Sequence, residues 1–138
     1  MRKRAVAVSL ALILVALSFP VQAQAEFIGI MPLYTNTSSI STYLTFNGST
    51  ASCATDVIGH TGTTKVAITL SLQRLESNGT YTTVKEWAEE SVNKDYFYLS
   101  KTYICEKGKS YRTYVTAKVT RNGSTETVTS WSGTVKCS

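Results

Sequence analysis

Three cysteines, Cys53, Cys105 and Cys137, are the residues with the most evident chemistry in this 138-residue sequence. In an exported chain such cysteines pair as disulfides, whereas a zinc site would use C-x-x-C spacing, which this sequence lacks. We predict a Cys53–Cys105 disulfide, because these residues lie at the start and the end of two predicted strands that should be neighbours. Cys137 is the competing partner. The leftover cysteine would be a small buried residue, a free thiol or the contact of a disulfide-linked dimer.

Catalytic chemistry has little support, and we predict that the protein is not an enzyme. His60 is the only histidine, and it stands in a Thr- and Gly-rich segment typical of an exposed loop. A catalytic triad or a metal site would therefore depend on one imidazole. The carboxylates of Glu86, Glu89, Glu90 and Asp95 match no calcium loop and are more typical of a solvated face. We predict no metal site and no cofactor, and the sequence has no glycine-rich phosphate loop.

An aromatic pair, Tyr114 and Trp131, is the candidate binding surface. Between them, β-branched and polar residues alternate around Asn122-Gly123, the strongest short signal of a β-hairpin. Counting outward from a two-residue turn places Tyr114 opposite Trp131, and Ala117 opposite Val128 on the other face. We therefore predict an exposed stacked pair that offers rigid apolar area to a protein or a glycan. The alternative is a cross-strand pair that only stabilises the hairpin.

The first 25 residues have the composition of a cleaved secretory signal peptide. A basic start precedes an apolar run of about 15 residues and Ala23-Gln24-Ala25, which matches the small-residue cleavage pattern. The apolar run is shorter than the 20 or so residues that a membrane span needs. We therefore predict a protein that is secreted or associated with the cell surface and that meets the membrane only during export. Residues 26–37 would be a lead-in, and residues 38–138 one domain.

The charge of the predicted mature chain is close to neutral. The whole chain carries +5, but three of its 14 basic residues lie in the first four positions, which leaves about +2. The nearest approach to a basic stripe is Lys107, Lys109, Arg112 and Lys118, a spacing that more often serves solubility. We predict that the protein does not bind nucleic acid.

The remaining pattern predicts an antiparallel seven-stranded β-sandwich. The first five strands cover about residues 39–46, 51–58, 65–73, 81–88 and 96–103, and the hairpin of residues 109–132 supplies the last two. Asn-Gly pairs predict tight hairpins between strands one and two, three and four, and six and seven. The sheets would then contain strands one, two and five, and strands four, three, six and seven. Val84 and Trp87 fall on opposite faces, which predicts a bulge in strand four.

The alternation of side chains also predicts the core between the sheets. Its expected members are Leu44, Val57, Ile68, Leu70, Leu99, Val115, Ala117 and Val128.

The segment from Glu106 to Ala117 resembles the E–F corner and F strand of fibronectin type III domains, in which a tyrosine soon after a turn glycine begins the strand. The resemblance implies an immunoglobulin-like sandwich with Tyr111 as its corner tyrosine, whose hydroxyl bonds to the backbone upstream. The mature chain, including residues 83–87 and 99–103, also resembles small single-domain secreted proteins of Gram-positive gut bacteria whose function is unknown. These resemblances imply fold and location only.

Four N-x-S/T sequences begin at Asn36, Asn47, Asn78 and Asn122. Three of them are the Asn-Gly turns, so we interpret them as turn chemistry and not as glycosylation sites. The function that we predict is a binding or adhesion module for a protein or a glycan. The alternative is a structural or interaction protein of the cell envelope, which would pair through Cys137 or through a strand edge.

Overall fold

The computed structural model describes residues 33–138, which form eight β-strands. The strands are β1 (Thr37–Asn47), β2 (Thr50–Gly59), β3 (Thr63–Leu75), β4 (Tyr81–Val92), β5 (Tyr96–Ile104), β6 (Ser110–Arg121), β7 (Ser124–Trp131) and β8 (Val135–Lys136). The predicted signal peptide and most of the predicted lead-in lie outside the described residues. Within residues 33–138 no helix has the length and apolar character that crossing a membrane requires.

Two antiparallel sheets enclose one core in a sandwich-like arrangement, which confirms the all-β prediction. One sheet has the order β1-β2-β5, and the other has the order β4-β3-β6-β7, so the predicted partition is correct. The predicted count of seven is too low by one short strand. After Trp131 the chain leaves the ladder for three residues and returns as β8, which pairs with the start of β6.

The Asn122-Gly123 turn has the conformation that its sequence predicts. Both residues have positive φ, 51° and 73°, as a type I′ turn requires. The observed register pairs Arg121 with Ser124, and it confirms the predicted pairing along the whole hairpin. The β3–β4 connection differs from the prediction of a tight hairpin. Its loop spans residues 76–80, because the side chain of Asn78 accepts a hydrogen bond from the Thr80 N–H and builds a wider turn.

The predicted bulge in β4 is present at Val84. Lys85 pairs with Leu72 and Thr83 pairs with Gln73, so Val84 is the extra residue between them. β4 continues to Val92, four residues beyond its predicted end, because β3 is long enough to pair with it throughout. The extra residue brings Val84 and Trp87 to the same side of the strand, where both pack against the core.

All eight predicted core residues are buried. The core also contains Val66, Leu72, Val119, Ala51, Tyr111 and the three cysteines. The period-two alternation explains this result, since the buried inward positions of β2, β3 and β6 are apolar or threonine. Among the described residues, every buried side-chain nitrogen or oxygen has a hydrogen-bond partner.

The start of the described chain is tied to β7 by one carboxylate. Glu126 accepts hydrogen bonds from the N–H groups of Thr35, Asn36 and Thr37 and from the Thr37 hydroxyl, all between 2.7 and 2.9 Å. Asn36 is itself buried and donates both amide hydrogens to carbonyl groups of the β6–β7 hairpin. Residues 35–37, within the predicted lead-in, are therefore docked on the sandwich.

Candidate binding surface

Tyr114 and Trp131 stand on the outward face of the five-stranded sheet, which contains β4, β3, β6, β7 and β8. The hairpin register places them directly opposite each other, with ring centroids 6.4 Å apart and planes inclined by 28°. Trp131 is 61% exposed, whereas Tyr114 is half-buried. Ala117 and Val128 are buried on the inner face, as the same register requires. The arrangement is an open aromatic platform.

A second stacked pair, Arg112 and Tyr81, lies beside this platform. Arg112 precedes Tyr114 by two residues, so both side chains leave β6 on the same face. The guanidinium carbon of Arg112 lies 3.6 Å from the centre of the Tyr81 ring, and its Nε donates to the Gln73 side chain at 2.8 Å. The Tyr81 and Thr134 hydroxyls are 2.6 Å apart, which holds the tyrosine over the sheet. The stacked Arg112–Tyr81 pair therefore adds a second planar surface on one side of the aromatic platform.

Sequence reasoning missed this second pair. The parity of Arg112 with Tyr114 was available from the hairpin count. The position of Tyr81 was not, because it depends on the bulge in β4 and on the five-residue loop before that strand.

Threonines extend the face on the other side of the platform. The next cross-strand row contains Thr69, Thr116 and Thr129 from three adjacent strands. Their hydroxyls, together with Gln73 and Arg112, supply donors and acceptors around the aromatic rings. The face can therefore combine apolar stacking with hydrogen bonding.

The three-stranded sheet also carries aromatic residues on its outward face, which sequence reasoning did not single out. Tyr43, Tyr96 and Tyr98 are each more than half exposed, and Ile58 is 44% exposed. Ile58 pairs with Tyr96, and Tyr98 pairs with Asp56 across the β2–β5 ladder. Their shared parity on these strands would have predicted this surface. It contains no tryptophan, and no pair on it stacks.

Tyr111 points into the core and not toward the binding surface. It is 2% exposed, and its ring lies 6.0 Å from that of Phe46. The Glu106 N–H donates to the Tyr111 hydroxyl at 3.0 Å, the upstream backbone bond that the fibronectin resemblance implies. Burial raises the pKa of this phenol. Its contacts make Tyr111 a structural residue of the corner between β5 and β6.

The three cysteines are buried free thiols, so the predicted Cys53–Cys105 disulfide is absent from the structure. Both side chains point inward, as their parity predicts. However, Cys53 pairs with Lys101, and Cys105 lies four residues further along the chain. At about 3.3 Å per residue, the Cα atoms are separated by roughly 13 Å along the strand. A disulfide requires a Cα separation below about 7 Å, and this register does not provide it.

The candidate catalytic and metal-binding groups are dispersed. His60 is exposed in the loop between β2 and β3. Glu89 pairs with Lys101 at 2.8 Å, and Glu90 pairs with Lys65 at 3.1 Å, so these carboxylates face lysines. Within residues 33–138 no group of three or more His, Cys, Asp or Glu side chains has a metal-binding arrangement.

Comparisons with known proteins find distant similarity to solved structures. No protein-family model matches the chain, and no curated protein sequence matches it. The solution structure of R. palustris CsgH has a TM-score of 0.41 and 7% identity, over 66% of this chain and 88% of that one. The sporulation control protein Spo0M from Bacillus subtilis has a TM-score of 0.40 and 10% identity, over 71% of this chain and 49% of Spo0M. A glycosyl hydrolase family 2 member from Bacteroides cellulosilyticus has a TM-score of 0.31 and 15% identity, over 68% of this chain and 14% of its own.

Proposed function

We propose that this protein is a secreted, non-catalytic binding module with an immunoglobulin- or fibronectin-like sandwich, and that the outward face of its five-stranded sheet binds a glycan. The observation that carries the proposal is the stacked Tyr114–Trp131 pair, in which Trp131 is 61% exposed. Leaving most of an indole in water is unfavourable, since burying a large apolar side chain gains about 1.5–3 kcal/mol. A ligand that covers Trp131 recovers this free energy.

The surroundings of the pair favour a sugar over a protein as the ligand. Hot-spot aromatics of protein interfaces cluster in well-packed, desolvated pockets. Trp131 instead stands on an open face, next to hydroxyls of Thr116 and Thr129 and near Arg112 and Gln73. A sugar ring has an apolar face of C–H groups and a rim of hydroxyls. The C–H face can stack on the aromatic pair, and the hydroxyls can form hydrogen bonds with the neighbouring polar groups.

The platform is rigid before the ligand binds. Trp131 and Tyr114 are cross-strand partners in a regular ladder. The Tyr81 hydroxyl also bonds to Thr134, three residues after Trp131. Rigid groups lose little conformational entropy on binding, which favours affinity from a small contact area.

The alternative role in the cell envelope has less support. Cys137 is fully buried and presents no sulfur to a second chain, so a dimer linked through it would require local opening. The edge strand β4 carries Lys85, Glu86, Glu89 and Glu90 as well as a bulge. Charges and bulges on an edge disfavour pairing with another strand. We therefore infer that the protein pairs neither through Cys137 nor through the β4 edge, and that it binds through a sheet face.

The test is a glycan array probed with the wild-type protein and two alanine variants. Trp131→Ala removes the platform, and Tyr98→Ala removes a similarly exposed aromatic from the opposite sheet. We expect the wild type and Tyr98→Ala to bind the same glycans, and Trp131→Ala to lose at least tenfold in affinity.

Circular dichroism and the thermal midpoint provide the control for folding. A cross-strand pair of this kind contributes only about 0.2–1 kcal/mol, so Trp131→Ala should remain folded. Equal glycan binding by Trp131→Ala and the wild type would contradict the proposal. If the wild type binds proteins on a protein array and binds no glycan, the glycan proposal is wrong and the ligand is a protein.

A further inference from the structure

The turn after β5 places Cys105 at the end of the sandwich where β5 ends and β6 begins, which we call the lower pole. Cys105 follows β5 directly, and its N–H donates to the Ser49 carbonyl at 2.8 Å. Residues 106–109 then form a β-turn that carries the chain across to β6. Cys105 is 6% exposed, so its thiol lies inside this corner.

The end of the chain packs on the same turn. The Cys137 carbonyl accepts from the Gly108 N–H at 2.7 Å, and the Cys137 N–H donates to the Lys109 carbonyl at 2.9 Å. Val135 pairs with the inward-facing Tyr111, and Cys137 has the same parity two residues later. Cys137 is fully buried, so its side chain also points into this pole. Two buried thiols thus flank one short turn.

The third cysteine, Cys53, lies further from the lower pole, along the β2–β5 ladder. Cys53 pairs with Lys101 in the middle of the β2–β5 pair, about 13 Å along the strand from Cys105. Burial, and secondarily the neighbouring Cys137, raises the pKa of Cys105 to about 11. Burial, with a smaller contribution from Cys105, raises the pKa of Cys53 to about 12.

We propose that Cys105 and Cys137 form the disulfide of the protein in an oxidising environment, and that Cys53 remains a buried free thiol. A small-molecule disulfide such as oxidised glutathione is the oxidant. The Cys105 thiolate attacks it and releases one glutathione thiolate. The Cys137 thiolate then attacks the Cys105 sulfur of the mixed disulfide and releases the second. Two cysteine thiols are oxidised, one glutathione disulfide is reduced, and the two cysteine protons pass to the released thiolates.

Burial determines when the bond forms. The reactive species is the thiolate, and the raised pKa of Cys105 leaves very little thiolate in the folded protein at neutral pH. Oxidation should therefore take place during folding, before the corner closes. Once formed, the bond ties β8, which has only two paired residues, to the corner between β5 and β6.

The experiment is refolding of the full chain in a glutathione redox buffer, followed by alkylation and cleavage after glutamate. The sequence places Cys53, Cys105 and Cys137 in three separate peptides, covering residues 27–76, 91–106 and 127–138. We expect the second and third peptides to be linked and the first to be alkylated. A link that includes Cys53, or alkylation of all three cysteines, would overturn the proposal.

Two variants test the disulfide by the peptide link and the thermal midpoint, which require no ligand and reveal a folding defect. Cys53→Ala should retain the linked peptides, and reduction should lower its thermal midpoint by more than about 10 °C, as for the wild type, because the bond closes a long loop. Cys137→Ser should show no link and no dependence of its midpoint on reductant. A midpoint of the wild type that is unchanged by reduction would count against the proposal, whatever the glycan array shows.

Discussion

Truncating Ile68 to alanine is the most direct test of the core. Ile68 lies in the middle of β3, is 1% exposed, and faces the other sheet between Val66 and Leu70. The substitution removes three carbon groups, which at about 0.8 kcal/mol each amounts to about 2.4 kcal/mol of transfer free energy. The cavity left between two sheets adds to this, so the expected loss of unfolding free energy is about 3–4 kcal/mol.

The matched control is the same substitution at an exposed position. Ile104 is the last residue of β5 and is 77% exposed. Ile104→Ala should change the unfolding free energy by no more than about 0.5 kcal/mol. The two variants share their chemistry and differ in burial, so their difference isolates the contribution of packing.

The assay is urea unfolding followed by tryptophan fluorescence, with the thermal midpoint as a second measurement. For a domain of this size the Ile68→Ala loss corresponds to a fall of roughly 10–20 °C in the midpoint. A loss below about 1 kcal/mol, or equal losses at Ile68 and Ile104, would refute the assignment of the inward face of β3. An unchanged urea m-value is also expected, because the denatured state is the same.

Three further predictions concern a charge, a turn and a buried hydroxyl. Partial burial alone would raise the pKa of Glu126, but the hydrogen bonds donated by residues 35–37 outweigh it and lower the pKa. The contribution of Glu126 to stability is therefore complete above the unfolded-state pKa of about 4.3, and it is lost as the pH falls through the lower pKa of the folded state. Urea midpoints of the wild type should therefore fall more steeply below that pH than those of Glu126→Gln, and parallel curves would contradict this role. Gly123→Ala should cost about 1 kcal/mol in chemical denaturation because φ is +73° there, whereas Gly133→Ala, which has open space for a Cβ and no positive φ, should cost almost nothing. Tyr111→Phe leaves the Glu106 N–H without its partner and should lower stability by about 1–2 kcal/mol, and a thermal midpoint equal to that of the wild type would exclude this contribution.

Features that depend on local periodicity and turn chemistry followed from the sequence alone. Asn122-Gly123 accepts positive φ at both positions, which sets the hairpin register and places Tyr114 opposite Trp131. The alternation along β3 determined which side chains are buried, because a strand presents successive residues to opposite faces. The spacing of the turns likewise determined which strands are joined as hairpins. These properties involve residues close together in the chain, and the side-chain alternation needs no knowledge of the partner strand.

Features that depend on where distant strands start relative to each other were decided only by the tertiary structure. The parity of Cys53 and Cys105 is correct, yet the β2–β5 register separates them by four residues, and no local pattern encodes that offset. The contact between Arg112 and Tyr81 likewise depends on a bulge and a loop in β4. Glu126 binds backbone groups 89 to 91 residues away, which become neighbours only when β1 packs beside β7. A shift of one residue in any of these ladders would move side chains to the other face, so the register between distant strands decides which groups meet.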